Sequence, residues 1–134
     1  MPTHEKVLGF RNHWYREAAA HSLELEAAGH RLRIIDAPHF CATKLEAYSD
    51  RGGGDYYHRD LEDVIAVVGG RAELRPELTA SGAQVRRFVA QGLQELLAAP
   101  AFHDALPGHL PGDAASQARL PLLLERLHAL AALG

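Results

Sequence analysis

The sequence is poor in the residues that announce a chemistry. It holds one cysteine, Cys41, one methionine, Met1, and one tryptophan, Trp14. A single cysteine excludes an intramolecular disulfide and a cysteine zinc cluster, and it suits a reducing cytoplasm. Positive charge is not in excess: 14 lysines and arginines face 17 aspartates and glutamates, a net charge of −3 with nine histidines uncounted. That balance creates no basic field of the kind that marks a nucleic-acid binder, and a local pair such as Arg86-Arg87 is too small to change it. Long apolar runs are missing as well. No stretch approaches the roughly 20 residues of a membrane helix. The richest, Leu120 to Leu133, is broken by Pro121, Glu125, Arg126 and His128. No basic-then-apolar signal opens the chain. A soluble, cytoplasmic protein with no membrane partner is therefore expected. The histidines show no zinc-type spacing on one helix face, and no Ser-His-Asp or Cys-His nucleophile is visible. No metal ligand set is assigned.

What is present is an ordinary globular balance. Hydrophobic residues make up 47% of the 134 and charged residues 23%, enough to bury a real core in one domain. Residues 1–15 carry Pro2, Gly9 and Asn12 without a sustained period, and read as loop pinned by Phe10, Trp14 and Tyr15. A helical turn through Arg16 to Ala20 follows. From Ser22 to Asp36 the pattern alternates, with Leu23, Leu25 and Ala27 opposed to Glu24 and Glu26. A loop at Ala27 to His30 would set Leu25 against Leu32, and Glu26 against Arg31, as a β-hairpin with one apolar and one charge-paired face. After that the period changes to that of helices. Asp36 is a natural N-cap for the stripe Ala37, Phe40, Cys41, Lys44, Leu45 and Tyr48, which should stop at Arg51-Gly52. A second helix carries Leu61, Val64, Ile65 and Val68 to Gly69-Gly70. Helical pieces continue over 73–80, and a longer helix runs over 83–99. A connection broken by Pro100, Pro107 and Pro111 leads to a last helix presenting Leu120, Leu123, Leu124, Leu127 and Leu130. The expected class is α+β, mainly α: a β-hairpin followed by a helical bundle.

The sharpest chemistry lies at Lys44 and in the run His58-Arg59-Asp60-Leu61-Glu62-Asp63-Val64, with the glycine-rich Arg51-Gly52-Gly53-Gly54-Asp55 between them. Lys44 sits on an apolar stripe, while His39, Thr43 and Glu46 of the same helix point elsewhere. A lysine there must snorkel, form an ion pair, or aim its ammonium into a cleft where it can hold a phosphate. Asp60, three residues ahead of Asp63 and just before an apolar run, has the look of an N-cap. At about 100° per residue Asp60 falls at the edge of the apolar face and can reach Lys44, whereas Glu62 and Asp63 turn toward solvent. Arg59 is exposed unless it pairs with an acid. The triple glycine lacks the setting of a P-loop and reads as a flexible turn. A metal site built on His58, Asp60 and Glu62 is a weaker reading.

The segments Ala42-Thr43-Lys44-Leu45-Glu46-Ala47 and Arg59-Asp60-Leu61-Glu62-Asp63-Val64 resemble the C-terminal half of the AbiEii/AbiGii-type nucleotidyltransferase toxins. Met1-Pro2-Thr3 with Leu8-Gly9-Phe10 and Trp14-Tyr15 is similar to the stretch after the central strand of small bacterial members. The resemblance covers residues 1–68, and the helical tail more loosely. It implies a partial polymerase-β-like fold, with residues 1–36 the loop and hairpin remnant of an α/β lobe and 37–134 a helical lobe. It also implies transfer of a nucleotide from a nucleoside triphosphate with Mg²⁺. By the same resemblance Lys44, Asp60 and Asp63 are catalytic positions, and Lys44 with Arg59 contacts the nucleotide. The family's Gly-Ser motif and paired metal-binding carboxylates have no counterpart in these 134 residues. The expectation is a nucleotidyltransferase-related protein, catalytically incomplete, that keeps a phosphate contact; Mg²⁺ and a nucleoside triphosphate would enter only with an upstream catalytic segment. The alternative is a protein-interaction module, either a homo-oligomer or one half of a toxin–antitoxin pair, using exposed hairpin edges.

Overall fold

The computed structural model describes residues 35–51 and 54–134. Among them 77% are helical and none lies in a strand, so the expected α+β class, with a hairpin leading into a partial polymerase-β-like fold, is corrected to mainly α. The hairpin assigned to Ser22–Asp36 falls almost wholly outside the described residues; Ile35 and Asp36, its last two, are not in a strand. Every apolar stripe that is described keeps the three-and-four spacing of a helix.

Helix α1 (Ala37–Arg51) begins where Asp36 can cap it. The Asp36 carboxylate accepts from the His39 amide at 2.9 Å and its carbonyl accepts from Phe40 at 2.9 Å, while Pro38 sits in the first turn, where no amide is needed. Helix α2 (Arg59–Gly70) follows a tight corner. Gly54 makes that corner: its φ of +98° is open to glycine, and its amide donates to the Tyr48 hydroxyl at 3.2 Å. Short α3 (Leu74–Ala80) and long α4 (Ala83–Leu97) come next, then α5 (Pro100–Ala105) and a 3₁₀ turn (Leu106–His109). One-turn α6 (Ala114–Gln117) leads to α7 (Leu120–Ala131). No described helix is long and apolar enough to cross a membrane.

Helix α1 packs on α2, α3 and α4, and α7 closes the bundle against α4, α2 and α3. Their stripes meet in one core of Leu61, Val64, Val68, Leu78, Val89 and Leu127, each at most 1% exposed. Burying each such side chain contributes about 1.5–3 kcal/mol. Gly92 lets α4 approach α1: a Cβ there would stand 3.2 Å from Leu45 Cδ1. The prolines expected to break the connection begin its helical turns instead, since Pro100 and Pro107 each occupy a first-turn position. Phe102, Ala105 and Leu106 thereby enter the core at 0–2% exposure.

Candidate functional site

The α1–α2 corner gathers most of the residues singled out above. Lys44 lies two turns before the end of α1, and Asp60 and Asp63, three apart, share a face of the first turns of α2. The Lys44 ammonium stands 3.0 Å from Asp63 Oδ2 and 3.7 Å from Asp60 Oδ1, with the Phe40 ring 5.6 Å beneath it. Asp60 is 5% exposed and therefore needs compensation. It has a second cation, Arg51 Nη2, at 3.4 Å. Its place at the positive end of α2 adds a favourable dipole.

Two expectations are corrected here. Asp60 is not the N-cap: His58 is, with backbone φ −62° and ψ 143°, and its Nδ1 accepts from the Asp60 amide at 3.1 Å. Nor does Asp63 turn away. It makes the shorter contact with Lys44, because i and i+3 positions are neighbours on a helix surface and a four-carbon stem from the facing helix spans both. Asp63 stays 36% exposed and Lys44 29%. Arg59 is exposed and makes no ion pair among the described residues. Glu62 is exposed too, and no three His, Cys, Asp or Glu side chains among the described residues are arranged to hold a metal ion, so His58, Asp60 and Glu62 do not form the metal site considered above.

Sequence reasoning missed two members of the cluster, Arg51 and the capping role of His58. Arg51 was legible as a cation in the last turn of a helix, the position that favours one. The polar residues placed on the far side of α1 are not solvent-facing either. His39 is 4% exposed, with Nδ1 2.7 Å from Asp36 Oδ1, and Thr43 and Glu46 are half-buried.

The corner is held by aromatic contacts. Tyr48 lies edge-on to the His58 ring at 5.9 Å, and burial pushes its phenol above the ordinary value. Cys41, on the same helix, is 1% exposed; burial first, and the nearby Glu77 charge second, push its thiol up to about 12. It is a core residue, not a nucleophile. Counted by charge, Lys44 and Arg51 balance Asp60 and Asp63. The partly exposed half of that balance is the Lys44–Asp63 pair, and it is the half able to exchange partners.

The chain matches no family model, no curated protein and no solved structure. Its chemistry rests on this geometry.

Proposed function

We propose that this chain is a nucleotidyltransferase-related domain, catalytically incomplete in itself, in which Lys44 offers a phosphate contact with Arg59 beside it. The supporting observation is the exchangeable Lys44–Asp63 pair. Asp60 keeps Arg51 when Lys44 turns away, and Asp63, already 36% exposed, is left facing water. Releasing a pair of that kind costs only about 0–1 kcal/mol. A phosphate can repay that with charge-assisted hydrogen bonds to the ammonium. Exposed Arg59, in the first turn of α2, adds a second cation next to Asp60 in sequence. Asp60 and Asp63 hold Lys44 while no phosphate is bound, and Asp63 competes with the phosphate for it.

Calorimetric titration of ATP, GTP and CTP tests this. Wild type is expected to bind at least one of them, and Lys44→Ala to lose that binding. Asp63→Asn removes the competing carboxylate and is expected to tighten it. Equal titrations of wild type and Lys44→Ala would sink the reading.

A further inference from the structure

The opposite end of α2 carries a second surface, independent of the Lys44 site. Leu122 is 41% exposed on the outer side of α7. Tyr57 is the other large apolar side chain exposed among the described residues, and it is stacked on His109 with ring centroids 5.9 Å apart. Leu122 forms a ridge between two open pockets of about 240 and 220 Å³. Ile65, Gly69, Leu110 and Leu123 line one, and Val68, Leu74, Ala129 and Leu130 the other. Both floors are apolar.

The rim is mainly basic. Arg119 borders the first pocket, and Arg71, Arg75 and Arg126 border the second, while Glu125 is the single carboxylate lining either. In a chain whose acids outnumber its lysines and arginines, four arginines around one leucine are a local inversion, even with Glu77 paired to Arg71 and Glu125 on the rim. Three of these guanidiniums are held in place, two of them by backbone carbonyls. Arg126 Nη1 donates to the carbonyls of Gly69 at 2.7 Å and Val68 at 3.3 Å, and Arg119 Nη2 donates to Gly69 at 2.9 Å. Arg71 is fixed by a two-pronged pair with Glu77 at 2.6 and 2.7 Å. Cations fixed before binding lose little rotamer freedom on binding.

We infer that this groove is the docking site for an acidic amphipathic helix of a partner protein. Two adjacent apolar pockets on either side of one leucine suit successive apolar residues along one face of a helix. Carboxylates flanking that stripe meet the arginine rim. The apolar floor argues against a nucleic acid, whose contact would be made by phosphates on the cations alone.

The test uses the full chain with two labelled helical peptides, followed by fluorescence anisotropy. Both carry leucines along one face; one has flanking glutamates and the other lysines at the same positions. The glutamate peptide is expected to bind, more weakly as salt rises, and the lysine peptide to bind far less. Leu122→Asp and Arg75→Glu are each expected to weaken the glutamate peptide by about tenfold. Both residues are at the surface, and Arg75→Glu reports on the groove even where Leu122→Asp perturbs the fold. Absence of binding, equal binding of the two peptides, or indifference to both substitutions overturns the inference. A dimer in sedimentation that Leu122→Asp abolishes, without peptide binding, overturns it in favour of a second copy. Binding of a single-stranded oligonucleotide that is lost in Arg75→Glu and untouched in Leu122→Asp overturns it in favour of nucleic acid.

Discussion

The buried carboxylate at the α1–α2 corner makes a quantitative demand on its two cations. The Asp60 side chain is 7% exposed, whereas Lys44 is 29% and Arg51 56% exposed. Removing one cation leaves the other, so Lys44→Met or Arg51→Met alone should cost about 1 kcal/mol, near the top of the range for partly exposed pairs. Removing both leaves Asp60 charged, buried and without a cation. That situation costs about 3–5 kcal/mol. The double variant is therefore expected to lose more than the sum of the singles, about 3–5 against about 2 kcal/mol, a coupling of the size that contacting residues show. Methionine keeps the apolar stem of each side chain, so packing changes stay small. Urea unfolding followed by circular dichroism measures all three variants, with Asp60→Asn as the control background. In that background there is no charge to orphan, and the two substitutions should add. Losses that add in the Asp60 chain, or a coupling that survives in Asp60→Asn, would refute the account of the corner as a shared neutralisation of one buried acid.

Three further outcomes follow from the packing and the ion pairs. Cys41, buried and with its thiol raised to about 12, should resist a thiol reagent in the folded protein at mildly alkaline pH and react at once in denaturant; rapid native labelling would contradict its place in the core. Phe102→Ala should cost about 3–5 kcal/mol, since its ring is wholly buried, while Tyr57→Ala, 64% exposed, should cost far less; similar unfolding midpoints for the two would mean that the 100–109 segment does not pack as described. The Arg71 pair holds Glu77 below its usual 4.5, so its contribution is present above that value and is lost as pH falls through the lower folded-state value; Arg71→Ala should destabilise at neutral pH and match wild type in acid, and an equal gap at both pH values would rule out the linkage.

The two ends of α2 show which parts of the structure a sequence can carry. At its N-terminal end the chemistry was legible, because Lys44 and Asp60 each lie on or beside an apolar stripe, and stripes of neighbouring helices must face one another. The wheel erred on Asp63 because it treats side chains as radial vectors, while a lysine arriving from the facing helix samples a whole turn of its neighbour. The cap was misassigned because histidine is an uncommon N-cap, and Asp60 offered the commoner residue type two positions on. Three prolines make the 100–111 connection look broken, yet Phe102, Ala105 and Leu106 have the i, i+3, i+4 spacing of a buried face. At the C-terminal end of α2 no local pattern could have served. The carbonyls of Val68 and Gly69 are closed by Arg119 and Arg126, 50 to 58 residues away, and that long-range contact is what turns Leu122 and its arginine rim into a surface. Whether a helix end is satisfied by its own cap or by a distant side chain is decided by tertiary packing. In this chain Asp60, at one end of α2, could be placed by period alone, and the cations at the other end only by the fold.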